Sequence, residues 1–367
     1  MTEKITTRHI EAARLLEGAL KGDRQDKLKL QEGIATSDIP VLLAPTINKI
    51  MLENYAAQPK VWDQFATRLV VDDFRPVTFQ AMKYEDEGLD NAGDKFYNGS
   101  LPTVAEYGEY PTAGWFNVTE KTMAVKKAGT RIRFSWETIV NDGQIGLLER
   151  LPLELAQKAA GKEDEEVTKQ LVSGSGLNTA NFNSGNQNLI AGNPSLTLES
   201  LEDAIEAANL QTYQGTLTSP VSRFALVVPR GLEMTARKLL AIQQVRTETT
   251  VGSVVTSTVS GNPIGSQVEI VVNDWLTKIN SGAGSYWFLI PLAGQSLNPN
   301  LALGFLRGYE TPELRIKMNG GTFLGGGDVP ARDGSFDNDD FEMRIRHIAT
   351  GAFIVPTGTI ASTGAGS

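Results

Sequence analysis

The stretch from Tyr84 to Gly108 is dominated by Gly, Asp, Asn and Glu, and it holds too few apolar residues to carry a core of its own. Ordering a chain costs conformational entropy that burial must offset, so such a stretch projects from a folded body instead of forming one. On its N-terminal side, residues 64–82 mix the β-formers Val70, Val71, Phe74, Val77 and Phe79 with polar residues and read as a strand pair or one long strand. On its C-terminal side the chain returns through Trp115-Phe116-Asn117-Val118-Thr119 and then Thr122 to Lys126, where Met123 and Val125 share one face. The pattern predicts a β-hairpin projection over about 75–126 and leaves the core to the flanking segments.

The two sides of this projection carry opposite charge. Residues 72–110 hold nine acidic and three basic side chains, net −6, whereas 120–133 hold one acidic and five basic, net +4. Two arrangements satisfy that asymmetry. The arms can pair with each other as a solvated hairpin, in which each exposed ion pair is worth little. Alternatively, the projection lies on a neighbouring subunit, where complementary patches set register more than affinity.

Composition narrows the range of functions. The 367 residues are 41% hydrophobic and 21% charged, as in folded soluble proteins, and the length suits two or three domains or a single large elaborated unit. A formal net charge of −9 argues against broad nucleic-acid binding, which rests on neutralising phosphates with Lys and Arg. Without cysteine there is no disulfide framework, thiolate zinc site or Cys nucleophile, and the two histidines, His9 and His347, lie far apart. The opening residues lack the apolar core of a secretory signal, so a cytosolic start is expected. The longest apolar stretches, Phe224 to Pro229 and Tyr286 to Leu292, fall far short of the roughly 20 residues that span a bilayer.

From Ile5 to Leu30, residues Ile10, Ala13, Leu16, Ala19 and Leu20 recur at helical spacing and predict an amphipathic arm; Ile39-Pro40 and Ala44-Pro45 then predict an extended path before Trp62. Arg131 to Glu137 alternates as a strand and runs into a helix start at Ser135 or Asn141. A long helix follows over about 151–173, with Pro152 in its first turn, a buried stripe of Leu151, Leu155, Ala159, Val167 and Leu171, a slight break at Gly161 and an end at Gly174. On this helix the run Glu163-Asp164-Glu165-Glu166 reads as a solvated face, because contiguous carboxylates point around a helix and do not converge.

Ser173 to Pro194 reads as an irregular loop at a boundary. Beyond it come a helix capped by Thr197, a strand at Phe224–Val228, a helix over about Gly231–Val245, buried strands at Val268–Val272 and Ser285–Ile290, and two late strands, Phe341–His347 and Gly351–Val355. The small, polar tail Thr357–Ser367 is expected to stay ordered only where a neighbour holds it.

The strong catalytic signatures are missing: there is no P-loop, dinucleotide fingerprint, H-E-x-x-H or G-x-S-x-G. Gly325-Gly326-Gly327-Asp328 has no Lys placed to hold phosphate and reads as a surface loop. Asp333, Asp337, Asp339, Asp340 and Glu342 lack EF-hand spacing, because Gly334 directly follows the first Asp. No catalytic residue, cofactor or metal is assigned.

Three segments carry a resemblance in their order and spacing. The first runs from Lys126 through Gly129-Thr130-Arg131-Ile132-Arg133-Phe134-Ser135-Trp136-Glu137 to Asn141-Asp142 and Leu147–Leu171; the second is Ala225-Leu226-Val227-Val228-Pro229-Arg230-Gly231-Leu232; the third is Phe341-Glu342-Met343-Arg344-Ile345-Arg346 followed by Gly351-Ala352-Phe353-Ile354-Val355-Pro356. Together they resemble the major capsid proteins of tailed double-stranded DNA phages, which share the Johnson fold. The resemblance implies an α+β protein with an N-terminal arm over 1–61 and a strand with extended loop over 62–130. It further implies a peripheral domain over 131–180 and 338–350 with a spine helix at about 151–173, and an axial domain with C-terminal tail over 181–337 and 351–367.

The same resemblance implies a non-enzymatic homo-oligomer, assembled as pentamers and hexamers into an icosahedral head that encloses double-stranded DNA without sequence-specific binding. Such a protein is made in the host cytoplasm and ends in the virion. A scaffold separate from this chain, a portal and a decoration protein are its implied partners, with no membrane. Some relatives form Lys–Asn crosslinks, for which Lys83 or Lys95 would supply the lysine, but nothing here matches that motif residue by residue.

The expected subunit contacts are Tyr84, Glu85, Asp86, Glu87, Asp90 and Asp94 on the acidic loop, Lys121, Lys126, Lys127, Arg131 and Arg133 as basic partners, and Ile10, Leu16 and Leu20 on the arm as a strap. An encapsulin-like shell around a protein cargo is the nearest alternative. A soluble carboxylate-based hydrolase is the alternative of another class.

Overall fold

The computed structural model describes residues 39–84, 104–109, 116–141, 147–213, 216–217, 221–242, 244–251, 254–262, 264–295, 299–317, 320–322, 324, 329 and 334–366. By their internal contacts the described residues form two compact units. The first comprises 39–59, 126–162 and 305–349; the second comprises the described parts of Lys60–Val125, Glu163–Gly304 and Thr350–Ser367.

The first unit is helices against a sheet. Its central strand belongs to Asp340–Phe353, and residues 343–346 of that strand pair antiparallel with Lys127–Ser135 on one side and with Glu313–Ile316 on the other. Alternation sends Ile132, Phe134, Leu314, Ile316, Phe341, Met343 and Ile345 to one face, where they pack on Leu151, Leu155, Ala156 and Ala159 of the helix Leu147–Leu171. Burying side chains of this size contributes about 1.5–3 kcal/mol each, which makes this face the core of the unit. Buried His347 meets Tyr55 edge-on at 5.8 Å between ring centroids and lies 6.0 Å from Phe305.

Two sequence expectations fail in this unit. Residues Ile39–Ala57 form a helix where an extended path was expected. Pro40 suits a first helical turn, and the interior Pro45, which costs a helix about 3 kcal/mol, is offset by Met51 and Tyr55 packing into the same cluster as Leu155 and Phe341. The long helix also begins at Leu147, which puts Pro152 inside it, and it runs unbroken past Gly161 to Leu171. Ser135 does start the short helix Trp136–Val140, its hydroxyl accepting from the Thr138 N–H at 3.3 Å.

The second unit holds a four-stranded sheet in the order Val268–Val272, Phe224–Val228, Trp287–Pro291, Ile360–Ser362, with the first pair parallel and the others antiparallel. Phe224–Val228 and Trp287–Pro291 are buried along their whole length, which is why they read as continuous apolar runs. Helix Leu198–Leu210 packs on this sheet through Leu201, Ala204 and Ala208, and its start is fixed by a capping box between Thr197 and Ser200.

The tail departs from expectation. Ile360, Ala361 and Ser362 are buried and pair with Leu289, Phe288 and Trp287, so this chain's own sheet holds them without a neighbour. The two late strands expected near residue 341 are one continuous strand, because Gly351 lets it pass the long helix: a Cβ there would collide with the Glu166 carbonyl oxygen and stand 3.0 Å from the Val167 Cα. The Ser173–Pro194 loop is ordered by asparagines, with Asn181 donating to the Gln170 carbonyl at 2.8 Å and Asn186 and Asn188 to the Asn181 carbonyl at 2.8 and 2.9 Å.

Also in this unit, Val77–Tyr84 pairs in full register with Phe116–Met123, giving the expected hairpin its stem. A second hairpin, Gln244–Val251 with Val254–Gly261, occupies the Thr, Ser and Val stretch that follows the shorter-than-expected helix Glu233–Ala241.

Candidate functional site

The face of the first unit's sheet opposite its core is densely charged. Pairing places Arg133 beside Glu342, Gly129 and Glu313 on either side of Arg346, and Arg131 and Arg315 on either side of Arg344. Three arginines thus stand abreast across three strands. Like charges set directly opposite on a sheet destabilise it, so this row costs the subunit stability.

The carboxylates around the row are largely committed. Glu342, only 3% exposed, is approached by Arg133 Nη2 at 2.5 Å, Lys317 Nζ at 3.5 Å and Arg131 Nη1 at 3.6 Å. Arg133 Nε also lies 2.8 Å from Asp340 Oδ2. Hydrogen bonding from the Ser335 hydroxyl and the charge of Arg133 hold the Asp340 carboxyl below its ordinary range, while Glu342 raises the Arg133 guanidinium above its own. Glu313 serves Arg315 at 2.6 Å and also Arg346, and its carboxyl is lowered first by the Arg315 hydrogen bond. Arg344 is exposed and forms no ion pair among the described residues.

A groove of about 310 Å³ runs beside Arg344, lined by Lys127, Arg131, Arg344 and Arg346 and floored by Gly129. Any side chain at Gly129 would strike the Ile345 carbonyl oxygen, so the strand stays bare at this point of the groove lining. On the other side of Arg344 a second depression, of about 290 Å³, is bordered by Arg315, Lys317 and Glu342. Guanidinium forks in such a row hold carboxylate or phosphate oxygens.

Of the basic residues expected from sequence, Lys127, Arg131 and Arg133 lie on this strand and Lys127 and Arg131 line the groove. Lys126 is exposed just before it, and Lys121 lies on the hairpin stem opposite Phe79. Tyr84 ends the other stem strand, opposite Phe116. Glu85, Asp86, Glu87, Asp90 and Asp94, with Ile10, Leu16 and Leu20, lie outside the described residues, as does Gly325–Asp328. Sequence reading missed Arg344, Arg315, Arg346 and Lys317. Arg344 and Arg346 do stand out in the sequence, as polar positions of an alternating strand.

The run on the long helix also differs from expectation: Glu163 and Asp164 are buried, not solvated. Asp337 and Asp339 are exposed while Asp340 and Glu342 are buried against Arg133, and no group of metal-ligating side chains occurs among the described residues. Nor is any described helix long and apolar enough to cross a membrane.

The exposed chemistry of this face is suited to contact with an anionic partner. A family model described as "Phage capsid protein" matches residues 119–362, about two thirds of the chain. The chain belongs to this phage capsid family and is a capsid shell protein with the α+β Johnson fold. No curated protein matches the sequence.

Among solved structures the chain is similar to a virus-like particle from Pyrococcus furiosus, with 10% identity, a TM-score of 0.47 and coverage of 86% of this chain and 97% of that one. It is also similar to a protein of Mycobacterium phage Patience, at 12% identity and TM-score 0.41 with coverage of 90% and 88%. A third likeness is to the holo-SrpI encapsulin complex from Synechococcus elongatus PCC 7942, at 10% and 0.42 with coverage of 81% and 85%.

Proposed function

We propose that this chain is the major capsid protein of a tailed DNA phage, which assembles as pentamers and hexamers into an icosahedral head. The observation that carries the reading is the match of residues 119–362 to the phage capsid family. In this reading 1–61 is the arm, 62–130 the strand and extended loop, 131–180 with 338–350 the peripheral domain, and 181–337 with 351–367 the axial domain.

Contact between subunits is electrostatic in part. The acidic loop, whose Glu85, Asp86, Glu87, Asp90 and Asp94 put five carboxylates into ten residues, seats on the Lys127–Arg131–Arg344 groove of a second copy. Lys121, Lys126 and Arg133 border that contact, and the arm around Ile10, Leu16 and Leu20 straps a neighbour. Many weak contacts of this kind sum to a stable shell. A separate scaffold, a portal and a decoration protein act with it, and the finished protein resides in the virion.

The test is the size of the recombinant protein by light scattering and negative-stain microscopy. Closed shells or capsomer rings are expected, and a monomer under every condition would overturn the reading. Double-stranded DNA within particles made during infection is the expected content; a protein cargo would assign the chain to an encapsulin-like compartment. Reversing Lys126 and Lys127 together is expected to lower particle yield without unfolding the subunit, and normal yield would remove those lysines from the contact.

A further inference from the structure

The charged face of the first unit's sheet is ordered like a lattice, and one place in it has no side chain. Register sets Arg133, Glu342 and Lys317 in one row across the three strands, and Arg131, Arg344 and Arg315 in the next. The row after that holds Gly129, Arg346 and Glu313. The outer rows each bring a carboxylate of their own, and the middle row brings none.

Gly129 is the gap. Arg346 stands directly opposite it, Lys127 and Arg131 lie two residues to either side on the same strand face, and Arg344 is on the diagonal. In a sheet, opposed Cβ positions are about 4.5–5.5 Å apart, same-face positions along a strand about 6.5–7 Å and diagonal ones about 7–8 Å, so four cations ring one cell. The chain cannot fill that cell from beneath, because a Cβ on Gly129 would strike the Ile345 carbonyl oxygen. All five residues line the groove of about 310 Å³, and no Asp or Glu does.

The neighbouring depression has what this groove lacks. Arg131, Arg315, Lys317 and Arg344 border it, but so does Glu342, whose carboxylate lies 3.6 Å from Arg131 and 3.5 Å from Lys317. There the chain supplies the anion itself. Two of the four cations around Gly129 are also held in place: Arg346 pairs with Glu313 and stacks on Tyr309 at 5.2 Å, and Arg131 reaches Glu342. Lys127 and Arg344 are exposed and form no ion pair among the described residues.

We propose that the Gly129 cell is a binding site for a small phosphoryl anion, held by Arg344, Arg346, Arg131 and Lys127. A phosphoryl group carries nearly two negative charges on oxygens that point apart, and so accepts N–H groups from several sides at once. A carboxylate offers one charge and two oxygens in a single plane, which suits one guanidinium fork. Binding also relieves the repulsion among cations that the fold leaves uncompensated. The site goes beyond the capsid reading; a single consequence rests on that reading, namely that the bound anion competes with the acidic loop of a second copy for the groove.

The experiment is calorimetric titration of the unassembled full chain with inorganic pyrophosphate, against sodium chloride of equal ionic strength. Saturable binding at a single site per subunit is expected. Arg344→Gln is expected to weaken it about two- to tenfold, and Arg344→Glu, which sets a carboxylate beside the cell, to abolish it. Lys317→Gln touches the second depression alone and is expected to leave the affinity within about twofold. A heat no different from that of chloride, an affinity unchanged in Arg344→Glu, or an equal loss in Lys317→Gln would overturn the proposal. Because the titration precedes assembly, a negative result leaves the capsid reading standing, and a chain that never forms shells still reports on the cell.

Discussion

Replacing Arg344 by Gln separates the role of the arginine row in the subunit from its role between subunits. Arg344 stands directly opposite Arg131 on one strand and Arg315 on the other, where opposed side chains have Cβ atoms about 4.5–5.5 Å apart. Each such like-charge pair costs roughly 0.2–1 kcal/mol, so the two together cost about 0.4–2. Arg131 and Arg315 are more than half exposed and partly neutralised by Glu342 and Glu313, which places the net figure near the lower end, about 0.5–1 kcal/mol.

Arg344→Gln is therefore expected to raise the melting temperature of dissociated subunits by about 1–3 °C at low salt. The same change removes a cation from the incoming acidic loop, worth about 0.5–1.5 kcal/mol per contact and hence about two- to tenfold in affinity. Calorimetry of the subunits and light scattering of assembly against protein concentration read the two effects. A more stable subunit with a raised assembly threshold is the expected pair, and both effects shrink in high salt. A less stable subunit that assembles at the normal threshold would refute the reasoning, because Arg344 would then be serving its own fold.

Leu155→Ala opens a cavity between the long helix and the sheet at a residue 1% exposed, and it is expected to cost about 3–4 kcal/mol, read as a lowered urea midpoint. A chain ending at Pro356 loses the strand Ile360–Ser362 and is expected to lack native near-ultraviolet dichroism; a native-like melt would mean that the tail is dispensable to the subunit. The depressed carboxyls of Asp340 and Glu313 contribute stability that is present above the ordinary carboxylate range and lost as pH falls through and below about 4. Denaturant midpoints should fall over that window, and Asp340→Asn should flatten the fall.

What the sequence revealed depended on whether one element's own residues decided its structure. Phe224–Val228 was legible to the residue because a buried strand leaves an uninterrupted apolar run, and Thr197 announced its helix because a cap acts within one turn; Val268–Val272 was legible from its β-branched residues, although it is half-exposed with Glu269 at the surface and not the buried strand expected. The Ile39–Ala57 helix was hidden because its prolines speak locally, while Met51 and Tyr55 are rewarded by partners about a hundred and three hundred residues away.

Glu163 and Asp164 looked solvated for the same reason, since nothing beside them announces the Val61 and Trp62 main-chain N–H groups that donate to Asp164 or the Trp62 indole that donates to Glu163. The candidate site was half visible. Arg131 and Arg133 share one strand with Lys127, but the row through Arg344 and Arg315 exists only once the register of three strands is known.

The strand Ile360–Ser362 comes later in the chain than every strand whose sheet it completes. Until it docks, Trp287–Leu289 is an open, wholly apolar edge of the kind that recruits other chains. During synthesis that edge waits while some seventy further residues leave the ribosome, several seconds at about 5–20 residues per second. A nascent or prematurely terminated chain therefore has an unfinished sheet and cannot offer a native surface to a growing particle. The strand that closes this sheet is thus also the one that ends the exposure of its apolar edge.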